Sequence, residues 1–315
     1  MEEVRPDAVG ILQELVHHYD DPYADSSAIP TMYLARMTSG HVKVALSGTG
    51  GDETLAGYRR YYADRMARRL SGIPGPLLRG VKGISRYLPR SRRTRLGELN
   101  LLVGRLLESI DKPADERYLD LVSFIGRADL GRLLKTDGAQ FKHYEKFHSV
   151  YNSSPRKDAV SRALWLDLQT YLPGDLLVKE DRATMAYGLE SRVPFLDTDL
   201  VGFTVSLPPE MKLRGMTTKY ILRRWAERKL PPFVLKRKKH GFGVPLSEWL
   251  REDLKEYAHD ILLTRTNRCQ EFVDLDVLKE LWTEHQNGED HGSLLYSVLI
   301  LELWLRSISR DTGYG

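Results

Sequence analysis

A short apolar run, Val42-Lys-Val-Ala-Leu46, leads straight into Ser47-Gly-Thr-Gly-Gly51 and then into Asp52-Glu53, which opens a helical segment through Tyr61. This junction restricts the fold more than any other feature of the chain. A β-branched run of that kind reads as a buried parallel strand, and parallel strands are joined by crossovers of a dozen or more residues. Strand, Gly-rich turn and helix start in that order bring backbone N–H groups together where an anion can bind. A Cβ there would block a ligand, and many residues resist positive φ. The Asp52 carboxylate suits a magnesium-bridged polyphosphate better than a bare phosphate. An ordinary strand-to-helix turn capped by Asp52 accounts for the same residues, and the string matches neither common phosphate-loop pattern.

Only this one strand precedes residue 60, and no strand–helix alternation follows it. The expected class is therefore α/β but predominantly helical, with a truncated parallel sheet. The chain reads as starting in the middle of that sheet, either lacking an N-terminal part or being a reduced relative. Residues 7–18 place Val9, Ile11, Leu12, Leu15 and Val16 at helical spacing. Residues 20–30 are turn-rich and residues 31–38 read as a short helix. Helices are also expected over 77–95 (with a loop), 101–110, 128–134 and 158–171. The expected division is 1–70, the rest of an α/β nucleotide-binding region, and 71–315, a mainly helical part packed on it.

Composition narrows the function classes. With 42% hydrophobic and 29% charged residues the chain is globular rather than disordered. The apolar run at 294–305 is too short to span a bilayer, and the acidic opening residues lack a secretory pattern. A single cysteine, Cys269, rules out an internal disulfide and fits a reducing cytoplasm. The nine histidines have no zinc-like spacing, so no structural metal is expected. Residues 59–95 hold twelve Arg or Lys residues against one acid, Asp64. This is either a solvated helix face and loop or the footprint of a module that binds nucleic acid or a partner; aromatic interleaving for base stacking is missing.

A second informative stretch is Tyr171-Leu-Pro-Gly-Asp-Leu-Leu-Val-Lys-Glu-Asp-Arg-Ala-Thr-Met-Ala-Tyr-Gly-Leu-Glu-Ser-Arg-Val-Pro-Phe-Leu-Asp197. Gly188 reads as a glycine just past a helix end. Asp181 and Arg182 fall mid-helix beside Met185 and Ala186, which read as buried. Glu190 and Arg192 alternate with Leu189 and Val193. Charges set among apolar residues are costly unless paired and often mark sites, although an ion-pair network locking two domains together gives the same pattern.

With Leu46-Ser-Gly-Thr-Gly-Gly-Asp-Glu53, Asp25-Ser-Ser-Ala-Ile-Pro-Thr31 and Leu235-Lys-Arg-Lys-Lys-His-Gly-Phe-Gly-Val-Pro-Leu246, this stretch resembles the synthetase domain of glutamine-hydrolysing asparagine synthetases. The likeness runs from about residue 12 to about residue 304. It implies an ATP-pyrophosphatase fold, ATP and Mg2+, adenylation of the aspartate carboxylate, and displacement of AMP by ammonia. By resemblance Ser47, Gly48, Gly50 and Gly51 contact the nucleotide and Asp52 binds magnesium. Lys239 neutralises the separating phosphates, which agrees with its place in a cationic Gly-rich loop; a solvated basic turn is the alternative there. Glu190 is a second catalytic candidate, and Asp25, Ser26, Ser27, Thr49 and Arg192 are candidates for the substrate site. The resemblance leaves room for a homodimer and points to no membrane.

Three departures from the family pattern shape the expectation. The Ser-Gly-Gly-x-Asp-Ser pyrophosphate loop does not occur in this sequence, and neither does a glutaminase domain with its N-terminal cysteine. The family carries an acidic residue where Thr49 stands, so the acyl substrate is open between aspartate and a related carboxylate. A missing loop removes charge-assisted hydrogen bonds of roughly 1.5–3 kcal/mol each. This chain by itself is therefore expected to bind ATP weakly and turn over little or nothing.

Overall fold

The computed structural model describes residues 7–70, 112–135, 142–236, 243–264 and 266–311. Helix α1 (Ala8–Tyr19) begins where Asp7 accepts hydrogen bonds from the Val9 and Gly10 amides, a side-chain N-cap. Its inward stripe is Ile11, Leu12, Leu15, Val16 and Tyr19, the spacing read from the sequence. Helix α2 (Ala28–Ser39) starts three residues before the expected 31, with Pro30 in its first turn, where a missing N–H costs nothing. Strand β1 (Val44–Leu46) is followed by α3 (Gly51–Leu55) and α4 (Arg59–Leu70). The central helices are α5 (Ala114–Val122), α6 (Arg127–Leu133), α7 (Lys142–Asn152) and α8 (Ala159–Gln169), the last capped by Asp158. A single π-helical turn at Leu172–Leu176 contains Pro173 and Gly174 and leads into α9 (Leu177–Met185). Strand β2 (Glu190–Arg192) precedes α10 (Thr198–Ser206), α11 (Pro209–Lys212), α12 (Tyr220–Ala226) and α13 (Pro232–Lys236). The chain continues with α14 (Leu246–Trp249), α15 (Lys255–Leu262), α16 (Leu275–Gln286) and α17 (Gly292–Asp311).

Two apolar clusters hold these helices. The larger joins α1 and α2 to α14, α15, α16 and α17, so the first helices of the chain share a core with the last. Its centre is α17, where Leu294, Leu295, Tyr296, Val298, Leu299 and Ile300 are each at most 5% exposed. Burial of each such side chain contributes about 1.5–3 kcal/mol. On the same helix Glu302 is fully buried and accepts from the Arg268 and Cys269 amides and from Arg306 Nε. The second cluster gathers Tyr61, Tyr118, Tyr151, Val160, Leu164 and Leu166. At its edge Asp167 accepts hydrogen bonds from the Tyr61 and Tyr118 hydroxyls and pairs with Arg60 at 2.7 Å.

The two strands pair in parallel, Val44 with Glu190, Ala45 with Ser191 and Leu46 with Arg192. The parallel pairing matches the sequence reading; the expected burial does not. Val44 is 43% and Leu46 76% exposed. Among the described residues β1 has one neighbouring strand, and a strand pair needs cover on both faces before its outer side chains leave water.

The phase of α9 also differs from expectation. Asp181 and Arg182 face solvent, Met185 is 62% exposed, and Ala183 and Thr184 are the buried positions. The charges turned inward are the preceding pair, Lys179 and Glu180, because each is met by polar partners from another element. Gly188, at φ +62°, lies just beyond the helix end as expected. Of the basic run, Arg60 is an internal partner of Asp167 rather than a surface charge, and Arg65 donates to the Leu213 carbonyl. The rest of that run past residue 70, and the helices expected over 77–95 and 101–110, lie outside the described residues. No helix among the described residues is long and apolar enough to cross a membrane.

Candidate active site

The turn between β1 and α3 is built by packing as much as by conformational freedom. Gly50 sits at φ +87°, and a Cβ on it would lie 2.3 Å from a Leu196 methyl. A Cβ on Gly51 would press on the Phe195 ring at 3.2 Å. These two glycines therefore make room for the Phe195 and Leu196 side chains. Gly48 is the open one: a Cβ there meets nothing within 4 Å. The Ser47 amide is tied into the sheet through the Arg192 carbonyl at 2.8 Å, while its hydroxyl lies 3.0 Å from Thr49 Oγ1.

At the start of α3, Asp52 Oδ1 lies 3.1 Å from Lys219 Nζ, both side chains about one-fifth to one-quarter exposed. Lys219 is at φ +52° immediately before α12, an uncommon backbone region for a residue with a side chain. Gly57 makes room for the pair, since a Cβ there would fall 1.7 Å from Asp52 Oδ1. Nothing in the local sequence marks Lys219, and its partner is far away in the chain.

Thr49 reaches across to α9. Its hydroxyl donates to Glu180 Oε2, and Ser191 from β2 donates to Glu180 Oε1. Turn, helix and second strand thus meet on one carboxylate. Glu190 and Arg192 flank Ser191 on the opposite side of β2, pair with each other at 2.7 Å, and are 55% and 64% exposed.

Asp25 and Ser27 form a separate polar cluster. Asp25 accepts from the Ser27 amide at 2.9 Å and the Ser27 hydroxyl at 2.7 Å, and Lys179 Nζ lies 2.7 Å from both side chains. Burial alone would raise the Asp25 carboxyl, but Lys179 and the Ser27 hydrogen bonds outweigh it and hold it below the usual range. Next to it Asp175, presented by the π-turn, is pushed up by burial and by the Asp25 charge, and accepts from the Tyr23 hydroxyl. Asp25, Ser26 and Ser27 line a cleft of about 1740 Å3 together with Tyr23, Asp175 and Tyr296. Ser47 to Asp52 do not line that cleft. The sequence-predicted residues thus fall into two groups on either side of α9, joined by the adjacent Lys179 and Glu180. Lys239 lies outside the described residues.

The family model described as asparagine synthase matches residues 3–306. Asparagine synthetase [glutamine-hydrolyzing] 1 of Bacillus subtilis is 31% identical over 304 residues, covering 96% of this chain and 46% of its own length. A Mycobacterium tuberculosis protein provisionally named as an asparagine synthetase [glutamine-hydrolyzing] is 36% identical over 298 residues, 94% of this chain and 44% of its own. The chain spans somewhat less than half the length of these relatives. With nearly all of its residues matched, the chain belongs to the asparagine synthase family.

Proposed function

We propose that this chain carries the nucleotide-facing part of an ATP-dependent, AMP-forming amide synthetase. A carboxylate, aspartate or a relative of it, is adenylated with release of pyrophosphate, and ammonia from a glutaminase then displaces AMP. The observation that carries this reading is the Asp52–Lys219 pair at the end of an open Gly48 turn. A hard carboxylate oxygen and an ammonium side by side suit a magnesium-bound triphosphate. Asp52 would hold Mg2+, and the bound ion would neutralise phosphate charge. Lys219 supplies a flexible cation for the phosphate oxygens, and Ser47 and Gly48 are assigned to the nucleotide. Lys239 is assigned the corresponding role by the family resemblance. The fold proposed is the ATP-pyrophosphatase type, with residues 1–70 contributing its nucleotide-binding part and 71–315 the helical part. Aspartate is assigned to the polar side of α9, near Asp25, Ser26 and Ser27.

The experiment is calorimetric titration of the chain with ATP and magnesium, followed by pyrophosphate measurement with aspartate present. Binding is expected to be saturable and magnesium-dependent. Asp52→Asn and Lys219→Ala should each weaken it by roughly ten- to a hundredfold, the equivalent of one lost charge-assisted contact. ATP binding that needs neither residue sinks the proposal. Pyrophosphate release is expected to be low for this chain, and rates typical of an intact synthetase would overturn that part.

A further inference from the structure

The carboxylates of the turn, of β2 and of the separate Asp25 cluster differ in how they are neutralised. Asp52 has Lys219 at 3.1 Å, Glu190 has Arg192 at 2.7 Å, and Asp25 has Lys179 at 2.7 Å. Glu53 is sealed at 1% exposure, and burial pushes its carboxyl up toward the neutral form. Glu180 fits neither description. It is half-buried, and among the described residues it has no cation within ion-pair distance. Its partners are the hydroxyls of Thr49 and Ser191, one on each oxygen.

Those hydroxyls orient the carboxylate without discharging it. An ionised carboxylate has about four acceptor positions, so two remain after Thr49 and Ser191 are served. Ser47 Oγ lies 3.0 Å from Thr49 Oγ1, whose own proton goes to Glu180, so Ser47 is the donor in that contact. The hydroxyl relay therefore runs from turn to helix and ends on a negative charge. A partly desolvated charge held this way is costly unless a cation joins it. The cation must be small and must itself donate hydrogen bonds.

We propose that Glu180 is the receptor for the amine nucleophile of the reaction, binding it as ammonium or a primary ammonium and taking its proton. The step balances as follows. Bound ammonium gives one proton to Glu180 and becomes ammonia; its nitrogen pair forms the C–N bond to the acyl carbon. The acyl C–O bond to AMP breaks, its electron pair leaves on the phosphate oxygen, and the second proton passes to solvent. Thr49 and Ser191 are positioning residues. The chemical step rests on the synthetase reading above; the cation site itself does not.

The test therefore has two arms. In the first, the chain is titrated with 15N-ammonium chloride against sodium chloride at matched ionic strength, and ammonium exchange is followed by NMR. Saturable binding specific to ammonium is expected, reduced about tenfold or more by Glu180→Gln, the size of effect for losing a charged partner. Thr49→Val, which keeps the charge and removes one positioning hydroxyl, should weaken binding several-fold and carries the test if the Gln variant does not fold. No ammonium-specific saturation, or full binding by folded Glu180→Gln, overturns the proposal. In the second arm the parent chain is titrated with magnesium–ATP. A chain that binds ammonium through Glu180 but no ATP would refute the synthetase reading and leave the cation site standing.

Discussion

Lys219 holds Asp52 at 3.1 Å from a left-handed backbone position at the start of α12, in a space that Gly57 leaves empty. Three separate requirements thus meet in one contact: an uncommon φ, a missing side chain and an ion pair. A substitution that disturbs any of them is expected to disturb the nucleotide turn.

Gly57→Ala is the cleanest probe of that contact. Its Cβ would sit 1.7 Å from Asp52 Oδ1 and 2.4 Å from Lys219 Cε, so the pair must part. The expected cost is about 1–3 kcal/mol, as for other overpacking changes, read as a lower urea midpoint with unchanged slope. A midpoint equal to the parent's would mean that the pair relocates freely.

The glycines of the turn should separate by function. Gly50→Ala is expected to lose stability, because φ is +87° and Leu196 occupies the space. Gly48→Ala should stay within about 0.5 kcal/mol of the parent but bind magnesium–ATP more weakly. Denaturant midpoints and ATP titrations on both variants check the contrast.

Asp167→Ala should be among the most damaging single changes. Asp167 is 2% exposed and serves Arg60, Tyr61 and Tyr118 together. Removing it strands a largely enclosed guanidinium and two buried tyrosine hydroxyls, at a cost of about 3 kcal/mol. Urea unfolding measures this, and a loss under 1 kcal/mol, on the scale of an exposed pair, would show the network to be dispensable.

Stability should rise with pH above neutrality through Lys212. This lysine is 3% exposed, and burial, followed by the nearby Arg156 charge, lowers its pKa to about 8. Between about 8 and the ordinary 10.5 the unfolded chain holds a proton that the folded chain has released. The unfolded state binds more protons there, so the penalty present below about pH 8 is relieved as pH increases. The full effect is on the order of 3 kcal/mol. Lys212→Met should flatten the rise between pH 8 and 10.5 in unfolding measured across that window.

What could be read in advance was local. The stripe of α1, the helix over 158–171 and the turn after Leu46 each carry their signal within a dozen residues. The inward face of α9 did not, because Met185 is apolar yet exposed, while Lys179 and Glu180 are charged yet turned inward. Their partners Asp25, Ser27 and Thr49 lie more than a hundred residues away, and periodicity cannot see them. Lys219 was missed for the same reason. The burial of β1 was misjudged because strand composition reports the usual setting of such strands, and two paired strands among the described residues do not reproduce it.

The parallel register of β1 and β2 joins residues 44–46 to residues 190–192. Contacts between such distant stretches are entropically late to form, since the intervening chain must close before they give anything back. The Thr49–Glu180 hydrogen bond crosses the same gap. Helices α1, α8 and α17 can organise early from neighbouring residues, whereas the turn gains its geometry only at the final closure. The site is therefore expected to assemble after the helices that frame it.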